Sequence, residues 1–324
     1  MCFSAAVRAD YSAFRHLFPR TALSLKAFFE LYWRKKQQPK LYRTSKAMDA
    51  LFAHPRTPEE RQIHHLIQQI NAAQVQGLEE EIFKQRKRLA DAERELQAKT
   101  TKKAQENQRI AGNKVAAALA TLESMKRNEL RDTDARLFPL WWGPVLIFED
   151  GQPVIRPMRY HLRPAGKPAF YDVKYPGLYN SRRDNLRGFW RGQFGHTHGL
   201  ALVPVFWENV VRHVAEHREL QTGERPENIV LEFRPVPQRD QLVACLYSHW
   251  TPPAGVDEPD LWSFAAITDE PLPEVALAGH DRTIVALQEK NLEAWLTPEG
   301  RSLGELDALL EEKERPYYEH CMAA

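Results

Sequence analysis

Residues 145–158 read VLIFEDGQPVIRPM, two short apolar runs on either side of Asp150-Gly151. Asp-Gly between apolar runs is a strong short-range hairpin signal, because both turn residues tolerate positive φ. Two residues leave no room for a crossover helix, so the strands pair antiparallel. The same texture continues downstream. Residues 200–207, 229–233, 242–247 and 261–267 are short apolar runs bounded by Pro, Gly or polar residues, and each reads as a strand. Two helices are expected after them, over residues 284–296 and 303–313, the first ending before Pro298-Glu299-Gly300. Upstream the texture is different. From residue 59 to 131 there is no proline, and Gln, Glu, Lys, Arg and Ala dominate. Val75, Leu78, Ile82, Leu89, Ala92 and Leu96 form a heptad-like seam, and Ile110, Val115, Leu119 and Leu122 a weaker stripe. This predicts a helical hairpin with its turn between Thr100 and Asn113 and a break at Gly112-Asn113. The expected fold class is therefore α+β, mostly antiparallel, with flanking helices. Residues 1–54 and 132–324 would form the core, and residues 55–131 a coiled-coil-like insertion.

Composition narrows the function classes. The chain has 324 residues, 43% hydrophobic and 27% charged, which excludes a disordered chain, a collagen-like repeat and a small disulfide scaffold. The net charge of +2 does not announce a nucleic-acid binder, so any basic site must be local. No run approaches the roughly 20 apolar residues of a membrane-spanning helix. The N-terminal MCFSAAVRAD lacks a basic segment followed by an apolar one, so no signal peptide is expected. Cys2, Cys245 and Cys321 are odd in number and far apart, which fits a reducing compartment.

Four segments carry chemistry. Cys2 becomes the N-terminal residue if Met1 is removed. A thiol and an α-amine on one residue can capture an aldehyde twice, as an imine and then as a thiazolidine. With a pKa near ~7.7–8, much of that amine is neutral and nucleophilic at physiological pH. The segment Asn180-Ser181-Arg182-Arg183-Asp184-Asn185-Leu186-Arg187-Gly188-Phe189-Trp190-Arg191 interleaves arginines with aromatics. That is the pattern that holds phosphates and stacks on unpaired bases. Glu208 ends the apolar run Val203-Pro-Val-Phe-Trp207, where it stands either at a wet strand edge or in a pocket as an acid or base. His280 lies in the loop Gly279-His280-Asp281-Arg282-Thr283, as a general acid near neutral pH or as a surface His. His196 and His198 lack a third ligand at zinc spacing, so neither a metal nor a cofactor is expected.

Taken in order, Cys2, Asn-x-Arg, an aromatic–aromatic–Glu strand end, His-Asp-Arg and the Trp295-Leu296 helix resemble the SRAP family. This is the SOS response-associated peptidase family, which includes the bacterial abasic-site sensor and its eukaryotic counterpart. The stretch from Arg156 to Pro164 looks like that family's arginine–tryptophan–glycine strand with its following proline. The resemblance implies a barrel-like core, Cys2 as nucleophile, Asn180 orienting the sugar and the α-amine, Glu208 handling the amine's proton and His280 assisting ring opening. Arg182, and by looser alignment Arg187 and Arg191, would meet DNA phosphates, with Trp190, Phe189, Phe170 or Tyr171 against bases. It implies covalent capture of abasic sites in single-stranded DNA, self-removal of Met1, and a cytoplasmic, nucleoid-associated bacterial protein. The sequence departs from the family at Phe3 and Ser4, at Asp184, at Asn209 after the Glu, and at Thr283-Ile284. The insertion has no counterpart in compact members; its mixed charges read as a solvated helical face, and it would dimerise the protein, grip duplex DNA beside the lesion or dock a protein partner. Two other classes share features: an N-terminal-cysteine amidohydrolase, and a non-catalytic scaffold acting through the coiled coil.

Overall fold

The structure, a computed structural model, describes residues 4–323. In chain order the strands and helices are β1 (Ser4–Ala6), α1 (Tyr11–Leu17), β2 (Ala22–Leu23), α2 (Leu25–Gln37), α3 (Lys46–Ala50), α4 (Pro58–Ala98) and α5 (Lys102–Lys126). Then follow β3 (Arg136–Leu137), β4 (Trp142–Glu149), β5 (Gln152–Tyr160), α6 (Tyr171–Lys174), β6 (Asn180–Arg182), β7 (His198–Val203), β8 (Val205–Val211) and α7 (Arg212–Ala215). The chain closes with β9 (Asn228–Val236), β10 (Gln241–Trp250), β11 (Leu261–Asp269), α8 (Pro273–Leu277), β12 (Thr283–Ile284), α9 (Leu292–Leu296), α10 (Leu303–Glu311) and β13 (Tyr317–Met322).

The β4–β5 hairpin forms around Asp150, at φ 50°, and Gly151, at φ 73°. It seeds a closed ring of five strands, β5–β4–β7–β10–β11, completed by a parallel contact of β11 with β5 through Ser263 against Arg159. A second sheet runs β13–β9–β8–β1–β3. The ring strands are apolar at successive positions because both faces are covered. On β4, Val145 and Ile147 join the cluster shared with Ala5, Phe206, Leu231 and Phe233 of the second sheet. Leu146 faces the other way, into the cluster built with Phe28, Phe52, Trp295 and Leu306 from the helices. Leu200 and Leu202 against Ala201 and Val203 repeat this division on β7. The fold is α+β.

Three expectations change. The run 200–207 is two strands, because Pro204 breaks the ladder and the chain changes sheets. Val203 pairs with Gln241 in the ring, whereas Val205 pairs with Ala6 in the second sheet. The helix expected over 284–296 is only α9. Residues 283–287 are extended, with Val285 N–H donating to the Ile267 carbonyl at 2.9 Å and Leu287 N–H to the Leu242 carbonyl at 2.8 Å. Four consecutive buried residues, Ile284 to Leu287, fit a doubly covered strand and not a one-sided helix.

The third change concerns the hairpin. Thr57 and Glu60 form a capping box with Pro58 at the first helical position of α4, and Thr101 caps α5. The turn is therefore at 99–101, and Gly112 lies inside α5. Ile63, Leu66, Ile67 and Ile70 anchor the base of α4 in the main core. Further out, Val75, Leu78 and Ile82 meet Ala118 and Leu122. The buried positions of α5 include Ala104, Ala111 and Ala118, seven residues apart, while Leu119 is exposed. Small residues at heptad spacing form this seam, which a search for large apolar residues overlooks.

Candidate active site

Strand β8 carries Glu208 between two neighbours. On one side β1 enters with Ser4 opposite Trp207 and Ala5 opposite Phe206. On the other, β9 places Leu231 opposite Glu208. Glu208 is 1% exposed, so it is a buried residue and not a wet strand end. Its Oε2 lies 3.2 Å from His280 Nε2. The ring is oriented from behind, as His280 Nδ1 lies 2.9 Å from the Arg282 carbonyl and donates to it. That leaves Nε2 directed at the carboxylate, so a proton can pass between them. The loop is shaped by Gly279 at φ 89°, where an added Cβ would stand 2.9 Å from Val214 Cγ1. Gly279→Ala is therefore expected to cost about 1–2 kcal/mol, in left-handed strain and displacement of Val214. The readout is a lower melting temperature, and an unchanged one would contradict the strain.

Asn180 begins β6, which runs parallel to β11 with Asn180 opposite Ala266 and Arg182 opposite Thr268. On its other side, Thr268 pairs with Ile284. The Asn180 strand and the His280 loop thus flank the same end of β11. Their charges meet: Asp281 acts on Arg182, and Arg282 acts on Asp184. Asn180 is buried, yet neither side-chain amide atom finds a partner among the described residues. The Thr268 hydroxyl, on the same face of the sheet, is likewise buried without a partner there, as is that of Ser181 on the opposite face. Buried polar atoms are rarely left so, since each costs about 1–3 kcal/mol, and a concentration of them marks a place for a polar ligand.

The arginine segment is more neutralised than its sequence suggests. Arg182 pairs with Asp184 at 2.6 Å, Arg183 with Asp269 at 2.8 Å, and Arg187 Nε donates to Asp307 at 2.9 Å. Arg191 is exposed. Trp190 is 3% exposed in the helical-side core, so its faces are covered and it cannot stack on a base, contrary to the sequence expectation. The exposed rings beside this segment include Phe170 and Phe189. They end a run of touching aromatics, Phe170–Tyr171–Tyr175–Phe189, that rests on Trp190. Cys2 lies outside the described residues.

Some site features gave little sequence signal. Arg136 donates from Nε to Ser4 Oγ at 2.8 Å and lies 4.5 Å over the Trp207 ring, fastening the start of β1 beside β8. It sits just after the insertion, in a stretch without periodicity. Arg282 is buried, with its nearest carboxylate, Asp281, at 3.8 Å. His161 has a φ of 146° and is buried. Burial, reinforced by the Arg159 charge, lowers it to about 4.

His198 is structural. It stacks on Trp295 at 3.9 Å, Nδ1 donates to the Trp295 carbonyl at 2.8 Å, and Nε2 accepts the Gly195 N–H at 2.9 Å. Burial pushes it down to about 3, against roughly 6.5 in an unfolded chain. Between those values the unfolded chain binds a proton that the folded chain does not. This contribution is full above about pH 6.5 and is lost, at up to about 1.4 kcal/mol per pH unit, as pH falls toward 3. The melting temperature should drop from pH 7 to pH 5; equal values would contradict this assignment. Among the described residues no group of His, Cys, Asp and Glu could hold a metal ion. Nor is any helix long and apolar enough to cross a membrane.

The profile of a family described as SOS response associated peptidase (SRAP) matches residues 81–322. No curated protein matches the sequence. Solved structures similar to this chain include a protein from Bordetella bronchiseptica, 15% identical, with 61% of this chain and 90% of that chain covered and a TM-score of 0.44. A protein from Bacteroides thetaiotaomicron is 15% identical over 56% of this chain and 74% of its own, with a TM-score of 0.43. A phage-related protein from Bordetella bronchiseptica is 16% identical over 58% and 80%, with a TM-score of 0.42. With a profile match over most of its length, the chain belongs to the SOS response associated peptidase family.

Proposed function

We propose that the protein captures abasic sites in single-stranded DNA covalently through Cys2, once loss of Met1 makes that residue N-terminal. The observation that carries this reading is the buried Glu208–His280 pair on the strand that receives Ser4. Cys2 is two residues from Ser4, and two residues of chain reach at most about 7 Å. In this reading the Cys2 thiol and α-amine act at the pair.

An abasic deoxyribose is partly a ring-opened aldehyde. His280 donates a proton toward the ring oxygen and favours that form. The neutral α-amine attacks C1′ and gives up a proton to Glu208, and water leaves to form an imine. The Cys2 thiolate adds to the imine carbon, the nitrogen takes up a proton, and a thiazolidine closes. One water is lost overall, and no oxidant or reductant is needed. Release of Met1 belongs to the same site. The thiol attacks the Met1 carbonyl, the acyl group passes from nitrogen to sulfur, and water hydrolyses the thioester.

Asn180 holds the sugar with its amide, which has no partner among the described residues. Arg182, Arg187 and Arg191 meet phosphates. The exposed pairs Arg182–Asp184 and Arg187–Asp307 are worth about 0–1 kcal/mol, so a phosphate displaces the carboxylate at little cost. Phe170 and Phe189 stack on unpaired bases, and Trp190 supports Phe189 from beneath. The test is a single-stranded oligonucleotide with one abasic site, run on a denaturing gel with protein whose Met1 is absent by intact mass. A shifted band that survives heat and detergent is expected. No band from folded, Met1-free protein would overturn the reading.

A further inference from the structure

The charges of the α4–α5 hairpin are sorted along its length. Residues 84–109, its distal half, hold nine Lys and Arg against four Asp and Glu. Residues 71–83 and 110–126, its proximal half, hold two bases against four acids. The distal acids do not cancel the distal bases. Arg94 pairs with Asp91 and Arg109 with Glu106, and Arg88 donates to Asn107. Lys84, Arg86, Lys87, Lys99, Lys102 and Lys103 are exposed and make no ion pair among the described residues. This reverses the pattern at the core, where the arginines of the 182–187 segment hold acidic partners. From residue 71, where the helix leaves the core, to Ala98 is roughly 40 Å at 1.5 Å per residue.

We infer that this distal half, residues 84–109, docks on the phosphate backbone of duplex DNA. The inference rests on the reading of the core as a DNA-capturing domain, and it adds a second contact beside the lesion. Duplex is favoured over single strand by the chemistry on display. Single strands are held by aromatic faces as well as cations, and residues 71–126 offer a single such ring, the exposed Phe83, where a stacking platform takes several. Two stiff helices bearing cations match a regular array of phosphates, and such contacts carry affinity without base sequence.

The experiment is fluorescence anisotropy with a labelled 20-base-pair duplex that has no abasic site, so no Cys2 chemistry is involved. In the variant, Lys84, Arg86, Lys87, Lys99, Lys102 and Lys103 are each changed to Gln, with helix content checked by circular dichroism. Wild-type affinity should fall steeply with salt, by about 0.9 in log–log slope per phosphate held. The variant should bind on the order of tenfold or more weakly, with a shallower slope. Capture of an abasic single strand by the variant should be unchanged. Equal duplex affinity and slope in the two proteins would overturn the docking proposal. So would binding of wild type to phosphatidylserine vesicles without binding to duplex. If the variant misfolds, the wild-type slope decides, and a flat one overturns the proposal. Failure of the core reading looks different: no abasic adduct from either protein, whatever the duplex affinity.

Discussion

Replacing Cys2 by alanine abolishes the covalent adduct with abasic single-stranded DNA while leaving the fold intact. The expectation is all-or-none because the thiol is the only group that can turn the imine into a ring. Without it the α-amine still forms an imine, but water reverses that step and heating dissolves it. The two other cysteines cannot substitute. Cys245 is fully buried on β10, and burial pushes its thiol far above the ordinary thiol range, so it stays protonated. Cys321 lies on β13, which pairs with β9 at the edge of the second sheet. Residual adduct in Cys2→Ala that resists heat and detergent would show that another residue performs the capture. A cysteine-to-serine change should behave in the same way, since an alcohol closes the corresponding ring far less readily than a thiolate.

The second large effect is Glu208→Gln. A positioned acid or base contributes roughly 10²–10⁴-fold to a proton-transfer step. Gln fills nearly the same volume but cannot take the amine's proton. Adduct formation should slow by a hundredfold or more, and the melting temperature should change little. Binding of undamaged single strand should stay as it was, since Glu208 is buried. An unchanged rate would remove Glu208 from the chemistry. If Gln perturbs folding, Glu208→Asp keeps the charge and tests whether its reach to His280 matters, with an intermediate rate expected.

The fold class was legible because its signals are local. Asp150-Gly151 sets a hairpin whatever surrounds it, and Thr57-Pro58 with Glu60 starts a helix from its own residues. Boundaries that depend on distant partners were not legible. Pro204 divides two strands only because Gln241 and Ala6 lie in different sheets. Residues 283–287 are extended because Ile267 and Leu242 offer them carbonyls. The same distinction governs the candidate site. Glu208 and His280 stood out one at a time, while their 3.2 Å contact is a product of topology. The four arginines of the 182–191 segment promised an open basic surface. The acids that meet Arg183 and Arg187 come from residues 269, 307 and 311, about a hundred positions downstream. Trp190 was misjudged for the same reason, since the helices that cover it arrive from elsewhere in the chain.

The measurement that tests the central claim most directly is mass analysis of the adduct after nuclease and protease digestion. The account predicts a peptide that begins at Cys2 and carries the deoxyribose remnant at the summed mass less one water. Borohydride should leave its yield unchanged, because a thiazolidine has no C=N bond to reduce. An adduct on a lysine, or one that appears only after borohydride trapping, would contradict it.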